Sequence, residues 1–286
     1  MLLPVPQFEL ALASLGLIVA GVVKGVTGIG YAPCAMPLLA MAVGLETALA
    51  LVVVPAIVSN AAVLFSGREL TGVLMRFRLL YAGILPGIAC GTALLGLVDT
   101  AIATHGLALL TLVYVVLAIA KPQLSLPARL EQPLALPAGL LNGVLTGLTG
   151  SQIVPLVPYM LALRLDAGTQ VQAINLAVTI ASLALGAALI ASGIMTGDLV
   201  VLSCAGALPA IAGTLAGNLL RGAVPVEGVR RLTLAVLVVV AVSLVGRGAW
   251  EATRERKCGA HTAASVDCLA RVHAELLPIT ATPDPR

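Results

Sequence analysis

Lys24 stands inside an apolar run of membrane-spanning length, in the stretch Lys24-Gly25-Val26-Thr27-Gly28-Ile29-Gly30-Tyr31-Ala32-Pro33. A stretch of the same kind returns 122 residues later as Thr146-Gly147-Leu148-Thr149-Gly150-Ser151-Gln152-Ile153-Val154-Pro155. At that offset Gly21, Val22, Gly25, Thr27, Gly28, Pro33, Leu39, Ala40 and Thr47 each meet an identical residue. Glycines permit a turn at membrane depth, where irregular backbone survives only if buried in protein or lining a wet cavity. A half-helix that starts after such a turn offers free N–H groups and the positive end of its dipole, a natural anion site. Hydroxyls and amides add donors, and Lys24 adds a full positive charge. An ionisable residue inside a membrane is a functional residue by default.

The residues expected to bind substrate are therefore Lys24, Thr27, Gly28, Gly30 and Tyr31 on the first break, with Thr149, Gly150, Ser151 and Gln152 on the second. The ligand expected is a small anion, because no uncharged run supplies the carboxylates a cation site would want. Blander readings compete at several positions. Gly21/Gly25 and Gly143/Gly147 have the small-xxx-small spacing of helix-packing faces. Thr27 and Thr149 are able to cap half-helices, and Pro33 and Pro155 to start them. Lys24 could instead snorkel to an interface. Tyr31 either packs or closes the site, Cys34 is a thiol beside it, and Asn142, Gln172 and Asn175 read as interhelical hydrogen bonds.

These residues need a scaffold of membrane helices. The chain has 286 residues, 59% hydrophobic and 10% charged, whereas soluble domains carry about a quarter charged residues. Uncharged runs cover 25–45, 47–67, 79–98, 100–120, 132–163, 167–197 and 199–220, each at least as long as the roughly 20 residues that a span needs. They do not alternate with period two, so helices are expected rather than a β-barrel. The fold class expected is all-α: a polytopic helical membrane protein of about eight transmembrane segments. Residues 1–120 form a first repeat, 121–133 a polar linker, 134–246 a second repeat and 247–286 a polar tail. Each half has a broken first segment followed by three spanning helices, and Leu85-Pro86 returns as Leu208-Pro209.

If each broken segment is re-entrant the halves are inverted; if each crosses once they are parallel. The loop at 66–78 holds Arg68, Arg76 and Arg78 against only Asp198 at 193–198, and Asp99 at 98–100 faces Arg221, Arg230 and Arg231 at 220–231. Equivalent loops of swapped charge favour inversion under the positive-inside rule, although the total including the tail is a tie.

Other classes are disfavoured. There is no H-E-x-x-H and no G-x-S-x-G, and Asp99, Asp166 and Asp198 lie at span ends, so no catalytic residues are expected. A structural protein would not need duplicated broken helices around a lysine. A passive anion channel would show currents rather than saturable, gradient-dependent flux. Few aromatics and no basic-aromatic patch exclude nucleic acid as a partner. Five scattered cysteines, an odd count, argue against a disulfide framework, and Cys90 and Cys204 read as buried small hydrophobes. In the tail Cys258, His261, Cys268 and His273 have zinc-type side chains at no recognised zinc spacing, so neither a metal nor a cofactor is expected. The first 23 residues lack Lys and Arg, so no signal-peptide n-region is expected.

At VKGVTGIG in the first half, and at LTGLTG, VPLVPYM and VQA in the second, the sequence resembles the TauE/SafE family of sulfite exporters, over roughly residues 8–246. The resemblance implies secondary transport of sulfur-containing or organic anions such as sulfite and sulfonates. It also implies coupling to an ion gradient, of protons or sodium, in a multi-pass protein of the cell membrane, which in a bacterium is the inner membrane. The expected partners are thus a small anion, the coupling ion and the lipid bilayer, and a homo-oligomer is compatible with them. Where many members run several glycines together, this chain has Tyr31-Ala32 before Pro33, so a particular substrate does not transfer, and a non-sulfur solute on the same fold is the alternative.

Overall fold

Continuous apolar sequence rich in Leu, Ala and Val satisfies its backbone within each segment only as helix, and helix is what forms. The computed structural model describes residues 7–28, 31–66, 70–120, 125–220, 223, 228–229 and 231–244. The regular structure among them is α1 (Gln7–Thr27), α2 (Tyr31–Val43), α3 (Leu45–Ser66), α4 (Leu70–Arg76), α5 (Arg78–Leu95), α6 (Thr100–Ala120), α7 (Ala128–Thr149), α8 (Leu156–Ala162), α9 (Ala167–Ala191), α10 (Gly197–Leu220) and α11 (Arg231–Leu244). They belong to one compact unit, Met1–Val245; the second, Gly246–Arg286, lies outside the described residues, and with it the tail's Cys258, His261, Cys268 and His273.

Among the described residues, α1, α5, α6, α9 and α10 are each long and apolar enough to cross a membrane. Their outer faces are apolar as well: Ile102, Leu109 and Val116, at seven-residue spacing on α6, are all exposed. Exposed apolar area on this scale suits lipid rather than water. Cys90 and Cys204 belong to these outer faces and are exposed, contrary to the expectation that they are buried.

The path of the chain can be followed through its contacts. A Cβ on Gly16 would lie 3.1 Å from Leu38 Cβ, so α2 folds back along α1 and returns to the end where α1 began. From there α3 crosses to the far end, α5 comes back, and α6 crosses again, with Thr100 at its start donating to Glu46 at the start of α3 (3.0 Å). α7 starts at the far end, where Arg76 pairs with Glu131 (2.7 Å). The segment after α7 turns back to that same far end, since the Leu126 N–H donates to the Ala162 carbonyl (2.8 Å) and the Tyr159 hydroxyl to the Glu131 carbonyl (2.8 Å). Thus α1 and α7 each open a hairpin, and the two hairpins enter from opposite ends.

Three local expectations change. α1 runs to Thr27, so Lys24 and Thr27, which the sequence places in the first break, are helical, and α2 begins at Tyr31. α7 begins at Ala128, inside the polar stretch 121–133. After the second break no half-helix starts at once: residues 150–153 are non-helical and α8 begins only at Leu156. There Ile153 and Val154 are β-branched, and Pro155 disfavours the helical region for the residue before it. In the first half Pro33 instead falls in the first turn of α2, where a missing N–H costs little.

Two helix pairs hold the bundle by backbone approach. Gly21 of α1 faces Ala210, Gly213 and Thr214 of α10, and Gly25 faces Thr214, Gly217 and Asn218. Gly143 of α7 faces Ile84, Gly87 and Ile88 of α5, and Gly147 faces Ile88, Gly91 and Thr92. Numbers rise together in both pairs, so the helices within each run parallel. The small-xxx-small glycines are therefore packing residues, and each zips the first helix of one half to a helix of the other. By contact Gly87 answers to Gly213, one turn away from the register that matching Leu85-Pro86 with Leu208-Pro209 would assign.

Candidate functional site

The first helix of each hairpin ends in the same cap. α1 ends as Gly28 takes φ +80° and its N–H donates to the Lys24 carbonyl (2.7 Å); α7 ends as Gly150 takes φ +72° and its N–H donates to the Thr146 carbonyl (2.7 Å). That left-handed cap is open to glycine at no steric cost. The preceding threonines turn back onto their own helices. Thr27 Oγ1 donates to the Val23 carbonyl (2.8 Å) and Thr149 Oγ1 to the Leu145 carbonyl (2.7 Å).

Lys24 is 3% exposed and is the only charged side chain among the buried described residues. Its ammonium donates to Ser59 Oγ (3.3 Å) and to Asn60 Oδ1, both on α3 and both neutral. Ser59 in turn donates to the Ala56 carbonyl (3.1 Å). On the other hairpin, Gln152 Nε2 donates to Ser182 Oγ of α9 (3.3 Å). Asn60 and Ser182 are themselves 122 residues apart in the chain.

Between these groups lies a cavity of about 30 Å³ lined by Lys24, Tyr31, Ala32, Pro33 and Asn60 on one side and Gln152, Ile153, Val157, Ile174, Asn175 and Val178 on the other. A water needs about 10–15 Å³ on this measure, so two waters or one small ion fit. Three buried polar atoms on its lining residues have no hydrogen-bond partner among the described residues: Tyr31 OH, Asn60 Nδ2 and Gln152 Oε1. Buried polar groups are almost always paired, and unpaired ones around a cavity mark the place of a polar ligand or water.

Of the nine residues expected to bind substrate, Lys24, Tyr31 and Gln152 line this cavity. Gly28 and Gly150 form the turns, and Thr27 and Thr149 secure the helix ends behind them. Ser151 is buried at the second turn, its N–H donating to Thr149 Oγ1 (3.2 Å) and its carbonyl accepting from Thr146 Oγ1 (3.2 Å). Gly30 lies outside the described residues. Ser59 and Asn60 escaped the reading, although an adjacent polar pair inside the uncharged run 47–67 was the signal for them. Asn175 donates within its own helix, to the Val171 carbonyl (2.7 Å), and among the described residues not across helices. Among the described residues Asn142 has no partner for either amide atom, and Gln172 none for its amide nitrogen.

An ammonium, an amide N–H and a phenol O–H converging on a small enclosed space can replace the hydration of a small oxyanion. Gln152 Oε1 is the one unpaired acceptor, and suits a proton carried by the ligand or a bridging water.

No curated protein and no solved structure matches the chain. The family model described as sulfite exporter TauE/SafE matches residues 12–244. That match takes in both hairpins, both zipped helix pairs and the cavity between them, and the chain belongs to the TauE/SafE sulfite exporter family.

Proposed function

We propose that the chain is a secondary transporter of small sulfur oxyanions of the sulfite class, and that the cavity beside Lys24 is where the anion is held. The observation that carries this is the buried Lys24 ammonium, whose partners are neutral, beside unpaired donors in a cavity of about 30 Å³. A bound anion would supply the charge partner that a buried ammonium otherwise lacks. The size supports sulfite over an aryl sulfonate, whose ring exceeds two waters.

The chain path supports an inverted repeat: a hairpin and three crossing helices from one face, then the same plan from the other, in the cell membrane (the inner membrane in a bacterium). Anion sites at the meeting of broken helices, with access alternating as one bundle moves against the other, are the usual design of such repeats.

The test is the thermal stability of the purified full chain with sulfite, thiosulfate, benzenesulfonate or acetate at matched ionic strength. A ligand at 100 times its Kd stabilises by about 2.7 kcal/mol, which raises Tm by roughly 5–10 °C for a chain of this size. Sulfite should do so for wild type and leave a folded Lys24→Met unmoved. A sulfite shift retained in Lys24→Met removes the site, and no shift by any oxyanion removes the function.

A further inference from the structure

The walls of the cavity between the hairpins carry a definite charge. Of the residues that line it from α1, α2, α3, the second break, α8 and α9, Lys24 and Tyr31 are the only ones that titrate, and a phenol is neutral near pH 7. The rest of the polar lining is amide: Asn60, Gln152 and Asn175. α1 ends and α2 begins beside the cavity, so the negative end of one helix dipole lies near the positive end of the other and the two offset. The Lys24 ammonium therefore sets the charge of the site. A monoanion leaves the filled cavity neutral, whereas a dianion leaves a net negative charge buried, which a protein interior penalises heavily.

The hydrogen-bonding capacity of the walls is as definite. An ammonium only donates, so Asn60 must turn Oδ1 to Lys24, and its Nδ2 is left unpaired among the described residues. Tyr31 OH is unpaired in the same sense. Gln152 is the reverse case: Nε2 donates to Ser182 Oγ (3.3 Å), and the atom left over is Oε1, an acceptor. A bare oxyanion has nothing to donate to Oε1, and its own negative oxygens repel it. An oxyanion that keeps one proton can meet the whole set, accepting from Lys24, Asn60 and Tyr31 and donating its O–H to Gln152.

We infer that the cavity selects the hydrogen-bearing monoanion, hydrogensulfite in its O–H form, over the sulfite dianion, with Gln152 Oε1 accepting from the proton the ion carries. The inference rests on the transport reading of this site and names the ion that the site takes. Each cycle then moves one hydrogensulfite ion with its S–O and O–H bonds intact, and the proton crosses on the anion. On the far side water takes that proton to the extent that the local pH dictates. Such a cycle needs no separate proton carrier in the cavity, which agrees with a lining that has neither carboxylate nor histidine.

The experiment follows the Tm of the purified full chain against the concentration of sulfite, hydrogencarbonate or nitrate, at constant ionic strength, over a pH range above the second ionisation of sulfite. Hydrogencarbonate and nitrate are both three-oxygen monoanions of similar size and fixed charge there, and only hydrogencarbonate has an O–H. It should bind roughly two- to tenfold more tightly than nitrate, as one net hydrogen bond implies. The affinity for total sulfite, divided by that for hydrogencarbonate, should fall about tenfold for each pH unit; the ratio cancels any titration of Lys24 or Tyr31. In Gln152→Leu the advantage of hydrogencarbonate should vanish while the nitrate shift remains, which shows the site still folded. The wild-type arms decide on their own if that variant does not fold. Hydrogencarbonate binding no better than nitrate, a sulfite ratio that stays flat, or an advantage that survives in Gln152→Leu overturns the inference. A sulfite shift with a flat ratio leaves the transport reading standing, with the dianion as cargo. No sulfite shift at any pH removes that reading and the inference with it.

Discussion

Gly147→Ala tests the packing that positions everything else. A Cβ on Gly147 would lie 2.6 Å from the Ile88 carbonyl oxygen, 2.7 Å from the Thr92 nitrogen and 2.9 Å from the Gly91 carbonyl carbon. All three are backbone atoms of α5, so no side chain can swing aside. Ordinary contact starts at 3.4 Å, and 3.4 − 2.6 requires the helices to part by about 0.8 Å. A gap of that order forfeits a quarter to a half of each dispersion contact along the seam. Overpacking of this kind costs about 1–3 kcal/mol, and the rigid backbone puts this site at the upper end. Alanine recovers about 1 kcal/mol in helix propensity. The net is a loss of about 1–2 kcal/mol, or roughly 2–8 °C in Tm.

The control is Gly72→Ala in α4, where nothing lies within 4 Å of the added carbon. There the propensity gain acts alone, about 0.5–1 kcal/mol in the stabilising direction. Thermal unfolding of the two purified variants beside wild type is sufficient. If Gly147→Ala melts as high as Gly72→Ala, the close approach of α7 to α5 is wrong, and the hairpin's anchorage with it.

Three further outcomes follow from other contacts. Asn60→Asp places a carboxylate beside the Lys24 ammonium and fills the charge role kept for the ligand; the protein should stay folded while its sulfite-induced Tm shift falls to nothing, and a retained shift would refute the role of that ammonium. Asp166 caps α9, and the Thr169 backbone N–H (2.8 Å) holds its carboxyl below the usual carboxylate range. A depressed folded value means the cap's contribution is complete above the ordinary value of about 3.9 and fades as pH falls through the lower one; Asp166→Asn, which caps without titrating, should flatten the acid limb of the melting profile. The Arg76 guanidinium grips Glu131 twice, at 2.7 and 3.0 Å, but in the open; Glu131→Gln should cost about 1 kcal/mol or less and the loss should shrink with salt, so a threefold larger, salt-independent loss in Tm measurements would contradict an exposed pair.

How far the chain could be read from its sequence depended on whether the physics was local. Gly28 and Gly150 stand where the repeated break was expected, and both adopt the positive φ that a glycine takes at no steric cost. The apolar residues around Lys24 made it a candidate for burial, and it is buried in the protein; the swapped charges of equivalent loops point to the inverted arrangement proposed above. The partner of each glycine face was not legible, because a small residue accepts any helix of matching smoothness. Nothing in the spacing of Gly21 and Gly25 names α10 rather than α5. Thr27 and Thr149 were assigned to the ligand because a hydroxyl's first option, the carbonyl four residues back, leaves no mark in sequence. Ser59 and Asn60 were passed over because the run 47–67 was judged by charge, and a neutral pair there is invisible on that measure.

The zipped pairs also explain why the cavity carries unpaired groups. Lys24 belongs to α1, which is locked to α10, whereas Gln152 follows α7, which is locked to α5. Backbone-to-backbone contact at several glycines leaves little freedom within a pair, so on the transport reading the surface that moves lies between the pairs, where the cavity sits. Groups at such a seam cannot all be satisfied across it without gluing it shut, because each direct bond would have to break on every opening. Tyr31 OH, Asn60 Nδ2 and Gln152 Oε1 have no partner among the described residues, and on the transport reading their partners come from outside the protein. On the transport reading, the anion replaces water at those atoms when the seam closes and returns to water when it parts. Filling the seam with permanent protein partners would stabilise the fold and stop the cycle.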